Sequence, residues 1–196
     1  MTDSVVVHEA ALQNLLGRYS VGVKHLVEPG PDEHQLDLMA RAALRAPDHG
    51  GLVPFRFRVI RGDDRARFAD LLERAAAQSG KPPAATRLDR ERALSAPVTV
   101  AVIARIDLGH PLAPEHEQWI AVGGALANFM TAAHGLGFAG KMLSGAKVRS
   151  PAVVAAFCEP GESLVGWIGL GTAVRPLAPR HGKAAAAEVL RPWVSR

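Results

Sequence analysis

Pro97 to Ile106 (PVTVAVIARI) is rich in β-branched residues and almost continuously apolar. A strand without a polar face must be covered on both sides. The fold therefore needs a sheet with this strand placed centrally. A second segment narrows the choice further. From about Glu117 to His134 the pattern is helical, and Ile120 to Met130 (IAVGGALANFM) is apolar nearly all round, with small Gly123, Gly124 and Ala125. Such a helix is buried and runs close to another backbone.

The remaining elements are arranged around these two. Val5, Val6, Leu12, Leu15 and Leu16 predict an amphipathic first helix ending at Gly17. Pro31 suits the first turn of a second helix to about Arg45, with Leu36, Met39, Ala40, Ala43 and Leu44 as its apolar stripe. Phe55 to Arg61 alternates as a strand, with Phe55, Phe57 and Val59 inward and its arginines on the opposite face. A helix from Asp63 carries Phe68, Leu71, Leu72, Ala75 and Ala76 on one side and breaks at Ser79 to Pro83 before a charged stretch, Arg87 to Arg92. Gly137 to Leu143 is a short strand. Ser150 caps a helix that begins at Pro151 and ends near Cys158, and Ser163 to Leu170 is the last strand. No linker divides the chain, so residues 1–196 are expected to form one domain.

With 196 residues and 48% hydrophobic content, such a chain can bury roughly 70% of its unfolded surface without a metal or crosslink. Cys158 is the only cysteine, which excludes an internal disulfide and a cysteine zinc cage and fits a reducing, cytoplasmic setting. Neither a basic export signal nor a bilayer-spanning run is present, so no membrane partner is expected. The net charge is +4, and only five of the 23 basic residues are lysines. Arginine forks suit phosphates and carboxylates, although a solvated basic surface explains most of them.

Gly135, Gly137 and Gly140 match G-x-G-x-x-G, but here the glycines close a helix and enter an extended segment, the reverse of a dinucleotide fingerprint. Helix capping and close packing explain them instead. His110 and His116, near Glu115 and Glu117, have no metal-ligand register and read as solvated loop residues. Arg56, Arg58, Arg61, Arg65 and Arg67 could meet a nucleic-acid backbone, yet the only aromatic residues in this run, Phe55 and Phe57, face inward and cannot stack on bases, and no nucleic-acid partner is expected.

Four element boundaries carry the remaining polar chemistry: Arg18-Tyr19-Ser20 with Lys24, Arg45-Ala46-Pro47-Asp48-His49, Lys141-Met142-Leu143-Ser144-Gly145, and a tail rich in arginine and proline. Asp48 and His49 could serve only to shape a turn. Taken in order with GGALANFMTAAHGLG and the terminal GLGT strand, the set resembles the nitroreductase family of flavin enzymes, in particular its short bacterial NAD(P)H nitroreductase branch.

That resemblance implies an α+β fold with a mainly antiparallel sheet flanked by helices, and an intertwined homodimer with FMN at the subunit interface. Gly123, Gly124, Ala125 and Ala127 would let helices of two protomers approach, and Leu126, Phe129 and Met130 would add apolar contact. Arg18 and Ser20 match FMN-phosphate positions, with Tyr19 between them. Arg45 and His49 match flavin-contacting positions. Met142, Leu143 and Ser144 match the segment reaching FMN from the other protomer, and Arg180 matches a phosphate contact in the tail. Lys24 corresponds to a cation near the flavin pyrimidine, although Val21-Gly22-Val23 separates it from Ser20, and Met142-Leu143 replaces the Trp and Arg that relatives can carry. The implied activity is NAD(P)H-dependent reduction of a small-molecule acceptor such as a nitroaromatic or quinone, with FMN carrying the chemistry and no dedicated catalytic residue. A flavin-binding or storage protein without turnover is the non-enzymatic alternative, and a basic nucleic-acid module is a third.

Overall fold

The computed structural model describes residues 8–175 and 184–193. The strands are β1 (Leu26–Val27), β2 (Phe55–Ile60), β3 (Val98–Ala104), β4 (Ala139–Leu143) and β5 (Ser163–Ala173). The helices that matter here are α1 (Glu9–Gly17), α2 (Glu33–Ala43), α3 (Asp64–Gln78), α4 (Pro83–Leu94), α5 (Glu115–Gly135) and α6 (Pro151–Phe157). Every strand pairing is antiparallel: β3 lies between β2 and β5, while β4 and β1 both pair with β5. The chain is thus α+β, an antiparallel sheet flanked by helices.

β3 is buried along its whole length. Its Val98, Val100, Val102 and Ala104 face a core shared with Leu36, Met39 and Ala43 of α2 and Val122, Ala125, Phe129 and Ala133 of α5. Ala101 and Ile103 point the other way, into a core with Phe68, Ala69 and Leu72 of α3 and Val153 and Phe157 of α6. The absence of a polar face on this strand follows from these two helical layers.

Several expectations are corrected. Pro31 is buried ahead of α2, and Asp32 is the cap: its carboxylate accepts the Gln35 N–H (2.8 Å) while Gln35 accepts the Asp32 N–H (2.9 Å), a reciprocal capping box. Leu44 lies past the helix end and is exposed. Val59 is exposed while Ile60 is buried on the α3 side. Arg56 does lie opposite Phe55 and Phe57, but that face is covered, and its guanidinium is bonded to Glu162 and the Phe157 carbonyl. The charged stretch Arg87 to Arg92 belongs to α4, whose buried positions are Thr86, Asp89 and Ala93. Ser150 makes no side-chain cap to α6. Glu115 and Glu117, with His116 between them, lie in the first turn of α5 rather than in a loop.

At the other end of α5 the glycines act as the sequence indicates. Gly137 has φ 87°, and the N–H groups of Gly137 and Phe138 bond to the carbonyls of His134 and Ala133, both at 2.9 Å. This is a Schellman closure, with Phe138 packed into the same core as Ala133. Among the described residues no helix is long and apolar enough to cross a membrane.

Candidate functional site

α1 ends at Gly17, and the chain turns extended at Arg18. A Cβ at Gly17 would lie 3.4 Å from His134 Nε2, so the ends of α1 and α5 touch. The next segment is fixed to the sheet by the Val21 N–H donating to the Gly140 carbonyl at 3.0 Å. Arg18 and Tyr19 consequently line a narrow cleft, open to solvent and with room inside for about one water molecule, with Met130, Ala133, His134 and Phe138 from the end of α5 and Gly140 and Leu170 from the sheet.

Arg18 Nη1 is buried and has no hydrogen-bond partner among the described residues. Leaving a buried donor unpaired costs about 1–3 kcal/mol, more when it is charged. Met130, Ala133, Phe138 and Leu170 have no side-chain oxygen to offer it. Arg18 therefore offers an unmatched donor that an anion at the mouth of this cleft could satisfy, since a planar guanidinium binds anions as a fork of donors.

The other residues singled out from the sequence lie elsewhere on the chain. Ser20 is exposed beside this cavity, and Lys24 is exposed on a 3₁₀ turn, Val23–His25, without lining it. Met142 is half-buried and packs against the core on the α5 face of the sheet. Leu143 pairs with Trp167 on the opposite face, and Ser144 donates its hydroxyl to the Val165 carbonyl at 3.0 Å. Arg45 is exposed just beyond α2. His49 Nδ1 lies 2.5 Å from Glu117 Oε2 in the first turn of α5, and the Asp48 carboxylate shapes the turn by accepting the Val53 N–H at 2.7 Å. Arg180 lies outside the described residues.

α5 separates these residues into two groups. Arg18 and Tyr19 sit at its carboxyl end and His49 at its amino end; Glu117 and His134 are about 25 Å apart at 1.5 Å rise per residue. The small residues also divide. Ala125 is fully buried within the chain, and a Cβ on Gly124 would come 3.2 Å from Ala46 Cβ, whereas Gly123 and Ala127 are exposed. Ile120, also exposed, shares their face of the helix.

A larger groove, with about 850 Å³ of open space, lies at the other end of the sheet and includes Leu52, Val53, Arg105, Gln118 and Glu162 in its lining. Its strongest polar groups are matched to one another. Buried Gln118 bonds to the backbone of Asp107 and Ala113. Glu162 accepts from Arg56 and from the Glu159 N–H. The Arg56 hydrogen bond is the main reason its carboxyl titrates at about 2, against an ordinary 4.5, overcoming the opposing effect of burial. The cavity at Arg18, with an unmatched donor, is the better candidate site.

Sequence reasoning missed His134 as a lining residue. A histidine in a last helical turn reads as a helix-end charge, and only the approach of α1 brings Arg18 beside it.

Comparison with known proteins agrees with this architecture. The sequence profile of the Nitroreductase family matches residues 15–172. The Escherichia coli (strain K12) protein named "Putative NAD(P)H nitroreductase YdjA" is 37% identical over 163 residues, covering 83% of this chain and 87% of its own. A Haemophilus influenzae "Putative NAD(P)H nitroreductase" is 31% identical over 150 residues, 76% of this chain and 82% of that one. Among solved structures, a nitroreductase-like family protein from Bacillus cereus has the same fold with a TM-score of 0.79 at 17% identity, over 96% of this chain and 98% of that one. A Desulfovibrio desulfuricans nitroreductase-type structure, in complex with FMN, has a TM-score of 0.69 at 22% identity, over 93% of this chain and 97% of the other. A profile match running from α1 into the last strand, together with relatives above 30% identity over most of their length, makes this chain a member of the nitroreductase family.

Proposed function

We propose that the protein is an FMN-dependent NAD(P)H oxidoreductase of nitroreductase type, built as one domain and acting as a homodimer with two FMN sites at its interface. The unpaired, buried Nη1 of Arg18 carries this reading, because it needs an anion that the described chain does not supply. Family membership names a suitable one, the phosphate of FMN. The names of the Escherichia coli and Haemophilus influenzae relatives support a nicotinamide donor, and the FMN complex of the Desulfovibrio protein supports the cofactor.

In this reading Arg18 and Ser20 hold the phosphate, with Tyr19 between them and Arg180 adding a contact from the tail. Lys24 places positive charge near the ring. Arg45, His49, Met142, Leu143 and Ser144 shape the flavin pocket. When bound, FMN supplies the redox chemistry, accepting hydride at N5 from NADH or NADPH and passing electrons, in a second half-reaction, to a nitroaromatic, quinone or similar acceptor. The chain's own task is to bind and orient, which is consistent with a site built of loops on rigid elements.

The two groups of residues at opposite ends of α5 support the dimer. A twofold axis across the exposed Ile120, Gly123 and Ala127 face lays two α5 helices antiparallel, so that the Arg18 end of one copy meets the His49 end of the other. Leu12, Leu15 and Leu16 of α1 are 47%, 55% and 69% exposed, an apolar face only partly covered by the described residues. Light scattering on the FMN-reconstituted protein, combined with flavin absorbance, tests the arrangement. A dimeric mass with one FMN per chain is expected; a monomer that retains FMN would contradict it.

A further inference from the structure

In the proposed function, Arg18 and Ser20 hold the phosphate. The cavity contains another polar side chain, and we infer that His134 is a phosphate-binding residue that donates from its imidazole to the same phosphomonoester as Arg18. The inference rests on the proposed FMN site and extends it to a residue outside the Arg-x-Ser segment.

Three observations carry it. Met130, Ala133 and His134 line the cavity from one face of the last turns of α5, with Arg18 completing the wall. The His134 ring reaches the start of the Arg18 segment, since its Nε2 lies 3.4 Å from where a Cβ on Gly17 would be. Third, a helix carboxyl end ordinarily repels an anion through its unbonded carbonyls. Here the carbonyls of Ala132, Ala133 and His134 are taken by the N–H groups of Leu136, Phe138 and Gly137. The closure thus removes the acceptors nearest the cavity, and Arg18 Nη1 and the imidazole remain as donors.

An imidazole presents at least one N–H in either protonation state. Two donors lining one cleft suit an anion with several oxygens, and the phosphomonoester of FMN is the anion that the proposed function supplies. A flavin lacking the phosphate gains nothing from either residue.

The test compares FMN and riboflavin binding, by quenching of flavin fluorescence, to flavin-stripped full-length wild type, Arg18→Ala, His134→Ala and His134→Gln. His134→Ala is expected to weaken FMN about tenfold, the size of one hydrogen bond to a charged group, and to leave riboflavin within twofold. His134→Gln, which keeps an N–H donor, should recover most of the loss. Equal weakening of both flavins, or none of FMN, overturns the role of His134. A wild type that binds no FMN overturns the flavin reading itself, and full FMN affinity in Arg18→Ala overturns the phosphate assignment at this cavity. A measurement on wild type removes any dependence on a variant's folding: FMN should shield His134 from diethyl pyrocarbonate, read by peptide mass spectrometry, and riboflavin should not. Equal shielding by both, or by neither, refutes the inference.

Discussion

Glu162→Gln should cost the protein stability at neutral pH and flatten its acid unfolding. The Glu162 carboxylate side chain is 8% exposed and bonds to Arg56 Nε at 2.7 Å, to Arg56 Nη2 and to the Glu159 N–H at 2.7 Å. Its pKa of about 2 in the folded chain, against an ordinary 4.5, reflects the Arg56 hydrogen bond first, acting against burial. At about 1.36 kcal/mol per pH unit the depression corresponds to at most about 3 to 4 kcal/mol. Arg56 is 21% exposed and the groove is open to water, so screening reduces the expected loss to about 2 kcal/mol. Because the folded carboxyl is harder to protonate than the unfolded one, this contribution is complete above the unfolded value near 4.5 and disappears as pH falls through about 2. Urea unfolding near neutral pH and near pH ~3, followed by tryptophan fluorescence, measures both effects. Trp167, packed 5.6 Å from Phe68, reports from the adjacent core. A variant within about 0.5 kcal/mol of wild type at neutral pH, or with an equally steep acid limb, would refute the reasoning.

Three further perturbations address the site and the fold. Arg18→Ala should weaken FMN by about 10- to 100-fold in a fluorescence titration, the worth of a charge-assisted phosphate contact, and leave riboflavin affinity near wild type. Gly123→Arg should fold normally, because nothing lies within 4 Å of a Cβ there, yet block pairing of the two α5 faces; light scattering should show a monomer, with FMN lost. Gly140→Ala should destabilise by about 2 kcal/mol in urea unfolding, because a Cβ would meet the Gly169 carbonyl oxygen at 2.7 Å and Leu170 Cδ2 at 2.9 Å.

Much of the scaffold is legible because it rests on periodicity. β3 lacks a polar face because two cores meet it, and the glycines after α5 sit where a Schellman closure needs a positive φ. α4 escapes such reading because its inward face is Thr86, Asp89 and Ala93 rather than an apolar stripe. Burial raises the Asp89 pKa, but hydrogen bonds from Lys147 and Lys81, at 2.7 and 2.8 Å, outweigh it and keep the carboxyl ionised below its ordinary range. Lys147 is 58 residues away and Lys81 lies across the break before α4, so no helical spacing announces the pairing. Arg56 is similar: alternation places it on one face of β2, but only the fold supplies Glu162 to bury against.

The candidate site is legible to a different degree. Arg18 and Tyr19 share a cleft, while His49 lies at the opposite end of α5 and Arg45, just beyond α2, does not line it. Their separation within one chain is not visible in a motif, because motifs order residues along the chain and do not state how many chains build a pocket. His134 was hidden for the same reason, its neighbour Arg18 lying across the contact between α1 and α5.

The central claim is that this chain moves electrons from a reduced nicotinamide through bound FMN to a small acceptor. Anaerobic titration of the FMN-reconstituted protein with NADH and with NADPH tests it directly, with the visible flavin absorption as the signal. The account predicts stoichiometric bleaching by at least one nicotinamide and return of the absorption when a nitroaromatic or quinone is added. Bound flavin that neither nicotinamide bleaches would contradict the enzyme and point instead to a flavin-storage protein.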